Sequence, residues 1–183
     1  MVEALTVGVR LFQYRSKHGT RRQIYDIALD LARVAHEADA VFIVNDHADI
    51  AAAVNAAGVH LGQDDLSIEY ARTLLGEQKL IGISTHSLEQ ARAAEAAGAD
   101  YIGFGPIFPT STKDAGQVQG TDTLALVKGA VTVPIIAIGG ITQANVQEVF
   151  RSGANGVAVI NAVLSADNIT SAARDMMRLI MSS

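Results

Sequence analysis

The sequence predicts an α/β fold in which short parallel strands alternate with helices, as in a TIM (β/α)8-type barrel. The main observation is a recurring unit in which a helix ends in glycine, a small residue follows and a short apolar segment begins. This unit occurs at residues 57–61, 97–102 and 152–159. Glycine just past a helix supplies the left-handed residue that closes the last turn. Buried strands that alternate with helices are typical of a parallel sheet covered by helices.

Composition limits the class of protein. The chain of 183 residues is 49% hydrophobic and has no linker or low-complexity segment, which predicts one domain over residues 1–183. The absence of cysteine excludes disulfides and thiolate metal sites and favours a cytoplasmic location. A net charge of −5 argues against nucleic acid as a partner, and no apolar run is long enough to span a membrane. The oligomeric state stays open, with a homo-oligomer as one alternative.

Apolar runs and helical periodicity together predict seven strand–helix units. The strands are predicted at Val9–Gln13, Val41–Val44, Val59–Leu61, Leu80–Ile83, Tyr101–Phe104, Ile135–Ile138 and Gly156–Ile160. The helices are predicted at Arg21–Glu37, Ile50–Ala56, Ile68–Leu75, Leu88–Ala97, Thr123–Lys128, Ala144–Arg151 and Ile169–Met181. Two helix starts are marked by capping boxes, formed by Thr20 with Gln23 and by Ser87 with Gln90.

Seven units are one fewer than a closed eightfold barrel contains. Residues 1–7 resemble the end of a helix, so the expected missing unit is the first strand with most of its helix. Without that strand, one edge of each flanking strand would be unpaired. A doubly wound open sheet is the competing fold. The barrel is favoured because no Gly-x-Gly-x-x-Gly turn follows a strand and polar residues follow nearly every strand.

Polar side chains cluster in the segments that follow the predicted strands. In a barrel, these segments all open on one face. The candidates in chain order are Gln13, Arg15, Lys17, Asn45, Asp46, His60, Asp65, Ser84, Thr110, Thr112, Lys113 and Asn161, together with the glycine pair Gly139-Gly140. We therefore expect a polar site at the carboxyl ends of the strands.

Charge type indicates what this site binds. Arg15, Lys17 and Lys113 are suited to a highly charged anion such as pyrophosphate. Asp46 and Asp65 offer hard oxygen ligands from two loops, which is typical of Mg²⁺ bound beside a phosphate. The glycine pair, which precedes a helix, lets backbone amides approach a second phosphate. Two phosphate sites and one Mg²⁺ indicate phosphorylated substrates and release of pyrophosphate.

Some of these residues have a simpler interpretation. An aspartate after a strand is more often a helix cap than a metal ligand, so Asp49 and Asp64 are left out of the metal site. His60 lies within a strand and is either a ligand of the substrate or a hydrogen-bonded core histidine. His86 near a strand end is a candidate acid or base.

The ordered motifs resemble those of the thiamine-phosphate synthase family, also called thiamine-phosphate pyrophosphorylase. The matching segments are residues 13–17, 44–51, 58–65, 82–86, 100–113 and 138–141. They cover nearly the whole chain in order and are together highly specific. The family has a TIM barrel fold. It joins a hydroxymethylpyrimidine diphosphate to a thiazole phosphate, giving thiamine phosphate and pyrophosphate.

The resemblance implies a role for each matched residue. Arg15, Lys17, Asn45 and Lys113 are expected to hold the diphosphate, and Asp46 and Asp65 to bind Mg²⁺. Gln13, Ser84 and His60 are expected at the pyrimidine. The residues expected at the thiazole phosphate are Thr110, Thr112, Gly140, Ile160 and Asn161. The family's reaction is dissociative: diphosphate leaves first and the thiazole nitrogen captures a pyrimidine-methyl cation, so no protein nucleophile is required.

The chain departs from the family pattern at Asn161, where serine is usual. Asparagine can still donate to phosphate, so a modest effect is expected. Two other functions remain as alternatives: a thiazole tautomerase on the same barrel, and a catalytically inactive barrel that binds phosphorylated ligands. The tautomerase has no need of the cations at positions 15, 17 and 113 or of the carboxylates at positions 46 and 65.

Overall fold

A computed structural model of the chain describes residues 1–110 and 116–182. These residues form seven strands, whose order in the sheet is their order in the chain. Two compact units are distinguished, residues 1–82 and residues 83–183. The strand β4 (Leu80–Thr85) contributes its first three residues to the first unit and its last three to the second.

The first unit contains three complete strands and four helices. In chain order its elements are α1 (Val2–Leu5), β1 (Leu11–Tyr14), α2 (Arg21–Glu37), β2 (Val41–Asn45), α3 (Ala48–Ala53), β3 (Gly58–Leu61) and α4 (Ile68–Leu75). The strands are parallel: Leu11 pairs with Val41, and Asn45 pairs with His60. Every residue of β3 is buried, as expected for a parallel strand covered on both faces.

The second unit repeats the alternation of strands and helices. Its elements are α5 (Leu88–Ala96), β5 (Tyr101–Phe104), α6 (Gly120–Lys128), β6 (Ile135–Ile138), α7 (Val146–Arg151), β7 (Gly156–Ala158), α8 (Asn161–Leu164) and α9 (Ile169–Met181). The strands β5, β6 and β7 are parallel, and Ile138 at the end of β6 pairs with Ala158 at the end of β7. The core of this unit includes Ile102, Phe104 and Ile135, which are fully buried.

The predicted alternation of strands and helices is confirmed. The bounds of β5, β6, α2, α4 and α9 agree with the prediction. The largest differences are at α3, which ends at Ala53 instead of Ala56, at α6, which begins at Gly120 instead of Thr123, and at α8, which was not predicted. A four-residue helix spans about one turn, too little for helical periodicity to appear in the sequence.

One of the two predicted capping boxes is complete. Thr20 accepts a hydrogen bond from Gln23 N, and the Gln23 side chain accepts one from Thr20 N. Ser87 likewise accepts from Gln90 N, but the Gln90 side chain accepts from His86 N instead of Ser87 N. The prediction of a second complete box is therefore wrong, and the glutamine fixes the backbone one residue earlier.

None of the helices in residues 1–110 and 116–182 is both long enough and apolar enough to cross a membrane.

Gly58 allows β3 and β4 to approach closely. A methyl group added at its Cα would overlap the carbonyl oxygen of Leu80. We predict that Gly58→Ala lowers the free energy of unfolding by about 3 kcal/mol, the upper range for overpacking, because backbone cannot move aside cheaply. The measurement is urea denaturation.

The matched control is Gly129→Ala at the end of α6. A Cβ there would have its nearest neighbour at 3.6 Å, and the backbone φ is −72°. This variant should be neutral or slightly stabilising. Equal free energies of unfolding for the two variants would contradict the predicted cost of overpacking at Gly58.

Candidate functional site

The end of β2 sets the direction of Asp46. Asn45, the last residue of the strand, is 8% exposed and pairs with His60 of β3. Asp46 then takes a left-handed backbone conformation, with φ of 64°, and its N–H donates to His60 O at 2.8 Å. This conformation is uncommon outside glycine but is tolerated better by Asp and Asn than by most residues. The chain therefore turns sharply while remaining bonded to the neighbouring strand.

Asp46 and Asp65 meet at this turn. Their side chains are hydrogen-bonded to each other, although they come from different loops. Asn45 Nδ2 donates to Asp46 Oδ1, and Gly62 N donates to Asp65 Oδ2 at 2.7 Å. Both carboxyl groups are thus held in place by neighbours in the first unit.

The electrostatics of this pair favour a bound cation. Burial raises the pKa of Asp46, and the nearby Asp65 carboxyl raises it further, while the charges of Arg15 and His47 act in the opposite direction. Two oxygen-ligand side chains that repel each other when ionised match the donor chemistry of Mg²⁺. Among the described residues, no group of three or more His, Asp or Glu is arranged to hold a metal, so further ligands would be water or substrate.

His60 is uncharged at neutral pH. Burial lowers the pKa of its imidazole to about 4, while the Asp65 carboxylate acts to raise it. The residue is 7% exposed and lies in the buried strand β3. A neutral ring can serve as hydrogen-bond donor and acceptor, so both interpretations made from the sequence, ligand and core histidine, remain predictions.

The segment from Gln13 to Lys17 has the alternation predicted for an extended chain. Gln13, Arg15 and Lys17 are exposed, and the residues between them are less so. Arg15 lies close enough to Asp46 for its charge to lower the pKa of that carboxyl. The first unit therefore brings together Arg15, Asn45, Asp46, His60 and Asp65 at the carboxyl ends of β2 and β3.

The second unit contains Ser84, near the end of β4 and half-buried. The next residue, Thr85, is fully buried, and its hydroxyl donates to Gly103 O at 3.0 Å. Gly105 N donates to Thr85 O at 3.3 Å. Thr85 at the end of β4 is therefore joined by two hydrogen bonds to the end of β5 and the residue that follows it.

The Gly139-Gly140 turn packs tightly on the segment that follows β5. Both residues have positive φ, 95° and 66°, and a Cβ on Gly140 would lie 2.5 Å from Pro109 O. Asn145 fixes the turn from the other side: its Nδ2 donates to Gly140 O at 3.0 Å, and its Oδ1 accepts from Thr142 N at 2.8 Å. Glycine is required at this turn by both conformation and space.

Three other residues predicted at the thiazole phosphate, Thr110, Ile160 and Asn161, lie in the segments that follow β5 and β7. Thr110 follows Pro109, which lies against Gly140. Ile160 is 48% exposed, and Asn161 begins α8 three residues after β7 ends at Ala158. Since Ala158 pairs with Ile138, the segments after β6 and β7 leave the sheet at the same end. Two predicted residues, Thr112 and Lys113, lie outside the described residues.

A cavity of ≈ 230 Å³ lies elsewhere in the first unit. Its lining includes Ala40, Ala57 and Lys79, each of which directly precedes a strand. None of the predicted site residues lines it. The cavity is at the amino ends of the strands, whereas the site residues gather at the carboxyl ends.

The structural contacts of two residues near the predicted site were not predicted from the sequence, which marked His86 only as a candidate acid or base. His86 contacts the Gly105 carbonyl, and Asn145 supports the glycine turn. One signal for the position of His86 was available in Gln90, four residues later, whose side chain accepts from His86 N. Gln90 was instead assigned from the sequence to a capping box with Ser87. Asn145 precedes an apolar helical segment and resembles an ordinary helix cap.

Comparison with known proteins identifies a family. The family model described as "Thiamine monophosphate synthase" matches residues 1–163. The thiamine-phosphate synthase of Chloroflexus aurantiacus is 48% identical over 182 residues, which are 98% of this chain and 84% of the relative. That of Methanosarcina barkeri is 43% identical over 180 residues, which are 96% of this chain and 81% of the relative.

Solved structures confirm the predicted fold class. The thiamine phosphate pyrophosphorylase from Pyrococcus furiosus is similar with a TM-score of 0.92 at 40% identity, covering 98% of this chain and 87% of that chain. A 3-hexulose-6-phosphate synthase has a TM-score of 0.71 at 16% identity, covering 97% of this chain and 93% of that one. The second likeness concerns the fold alone.

The raised pKa of Asp46 predicts a pH-dependent stability. A carboxyl whose folded-state pKa exceeds its unfolded value destabilises the folded state when it is ionised, and this cost is lost as protonation proceeds. In the absence of divalent cations, Asp46→Asn should therefore be more stable than the wild type at pH 7. That gain should shrink as the pH falls towards 4. Urea denaturation at several pH values measures it.

Asp49→Asn is the control of opposite sign. Burial acts to raise the pKa of Asp49, but hydrogen bonds from Arg21 and the backbone leave it lowered. Stability from such a group is present above its unfolded pKa, so this variant should be less stable at pH 7 and the loss should persist down to about pH 5. A pH-independent gain for Asp46→Asn would contradict the electrostatic account.

Proposed function

The chain belongs to the thiamine monophosphate synthase family of transferases, and we propose that it joins 4-amino-5-hydroxymethyl-2-methylpyrimidine diphosphate to thiazole phosphate. The products are thiamine phosphate and pyrophosphate. The observation that carries this proposal is the pairing of Asp46 with Asp65 beside Arg15 at the carboxyl ends of neighbouring strands. That combination places carboxylate ligands for a divalent cation beside a guanidinium that can bind an anionic leaving group.

Asp46 and Asp65 would hold Mg²⁺ through their carboxylate oxygens. The pair fits this ion because the two carboxyl groups lie close to each other, and burial of Asp46 together with the charge of Asp65 raises the pKa of the Asp46 carboxyl. When bound, Mg²⁺ supplies positive charge that offsets the charge developing on the departing diphosphate. The hydrogen bonds from Asn45 and Gly62 orient the two carboxyl groups before any ligand arrives.

The cationic side chains would bind the diphosphate. Arg15 and Lys17 extend from the segment after β1 on the same side, and Lys113 follows the β5 strand in sequence. A guanidinium offers two parallel donors to phosphate oxygens, and an ammonium offers a compact charge. Asn45, buried at the end of β2, adds an amide donor. These groups favour the separated diphosphate over the intact ester, which lowers the barrier.

The reaction exchanges one bond for another without a protein nucleophile. The bond between the methylene carbon at position 5 of the pyrimidine and the diphosphate oxygen breaks, and the electron pair leaves with pyrophosphate. The thiazole nitrogen then donates its lone pair to the resulting pyrimidine-methyl cation and forms the new carbon–nitrogen bond. The remaining task of the protein is to place the ring nitrogen close to that carbon.

Two sets of residues would position the rings. Gln13, Ser84 and His60 would contact the pyrimidine, where a neutral His60 can form hydrogen bonds without placing a charge beside the cation. The second phosphate would be held by a group comprising Thr110, Thr112, Gly140, Ile160 and Asn161. Backbone amides of the glycine turn are suited to phosphate because no side chain blocks their approach.

A coupling assay tests the proposed function. The purified chain is incubated with both substrates and MgCl₂, and thiamine phosphate and pyrophosphate are measured separately. We expect both products in equal amounts, with formation abolished by EDTA and restored by excess Mg²⁺. A tautomerase would act on a thiazole without the diphosphate. An inactive binder would show raised melting temperatures with the ligands but no turnover, and either result would overturn the proposal.

Lys113 should contribute strongly to the chemical step. We predict that Lys113→Ala lowers kcat about 10²- to 10³-fold, the range for loss of one electrostatic donor to developing charge. The control is Lys128→Ala at the end of α6, which removes a lysine that bonds Asn155 and should leave kcat unchanged. Steady-state rates at saturating concentrations of both substrates measure the effect, and near-normal turnover of Lys113→Ala would contradict the assigned role.

A further inference from the structure

His86 binds the backbone of Gly105 through its ring. The distance between His86 Nδ1 and Gly105 O is 2.6 Å. A carbonyl oxygen only accepts hydrogen bonds, so Nδ1 must carry the proton. The side chain therefore acts as a directed donor across 19 residues of sequence.

His86 is itself held firmly. Its backbone N–H donates to Gln90 Oε1 at 2.7 Å, and Gln90 N donates to Ser87 Oγ at 3.2 Å. Gln90 belongs to α5, so the first turn of the helix fixes the backbone from which the imidazole extends. Gly105 is also held from Thr85, whose carbonyl accepts from Gly105 N at 3.3 Å. Thr85, the last residue of β4, and His86, which follows it, thus bond both backbone polar groups of Gly105.

Gly105 is the start of the segment on which the glycine turn rests. Ile107 N donates to Ile138 O at 2.9 Å, and Phe108 N donates to Gly139 O at 3.0 Å. A Cβ on Gly139 would lie 2.5 Å from Pro106 Cβ, so the turn has no space to shift towards the segment. A displacement of Gly105 would therefore be transmitted to the turn.

From these contacts we propose that His86 is a positioning residue for the second phosphate site, acting through Gly105 on the Gly139-Gly140 turn. The inference rests on the proposed function, since it assigns that turn to the thiazole phosphate. The imidazole does not touch the substrate in this role. It fixes the position from which the turn presents its amides.

The geometry of the bond allows a matched set of variants. Asparagine places its Nδ2 amide where histidine places Nδ1, so His86→Asn keeps a donor within reach of Gly105 O. His86→Gln places its amide one bond further out, and His86→Ala has no donor. We expect the KM for thiazole phosphate to rise about five- to tenfold in His86→Ala and His86→Gln, the scale of one lost hydrogen bond.

Three readouts separate positioning from a general loss of structure. The KM for the pyrimidine diphosphate should rise by a smaller factor than the KM for thiazole phosphate in His86→Ala and His86→Gln, because only Ser84 and Lys113 among its proposed ligands lie in the second unit. His86→Asn should restore the KM for thiazole phosphate to near the wild-type value. The melting temperatures of the glutamine and asparagine variants should agree with each other.

Other outcomes overturn the inference. If both KM values rise by the same factor, or if His86→Asn is as defective as His86→Ala, the residue has no selective role at the second phosphate site. If His86→Ala does not fold, the comparison of the asparagine and glutamine variants decides alone. Absence of turnover in the wild-type protein would instead refute the proposed function, and this inference with it.

Discussion

Two carboxyl groups of like charge, the half-buried Asp46 and the exposed Asp65, are held close to each other, and the proposed ion site depends on that repulsion. Burial and proximity both raise the pKa of Asp46, so the arrangement costs stability in the absence of a cation. In the proposed function, a divalent ion would offset the repulsion, and a diphosphate beside it would add the ligands that two aspartates cannot supply.

The fold produces this pair by simple means. Parallel pairing places Asn45 opposite His60, so β2 and β3 end together. The left-handed turn at Asp46 keeps the backbone bonded to β3 while the chain turns away, and Gly62 N orients the Asp65 carboxyl. In the second unit, the glycine turn is fixed between the segment after β5 and the Asn145 side chain. Each unit thus presents rigid polar groups at strand ends, where enzymes of this fold class place their chemistry.

The sequence was informative where a residue's chemistry is local. Apolar runs and glycine-ended helices were enough to predict the strands, and charged residues after them were enough to predict the meeting of Asp46 with Asp65. The role of His86 was not predictable, because its partner is a backbone carbonyl, a group that every residue carries, and Gln90 has a competing local interpretation as a cap. The spatial fit of Gly139 against Pro106 likewise depends on how β5 and β6 pair, which glycine content alone does not reveal.

The most direct test of the central claim is binding of Mn²⁺, a paramagnetic ion that suits the same oxygen ligands as Mg²⁺. Free Mn²⁺ is measured by electron paramagnetic resonance during titration of the protein, with and without pyrophosphate. The account predicts one Mn²⁺ per chain, tighter binding when pyrophosphate is present, and loss of that binding in Asp65→Asn. Binding that is unaffected by pyrophosphate, or unchanged in the Asp65→Asn variant, would contradict it.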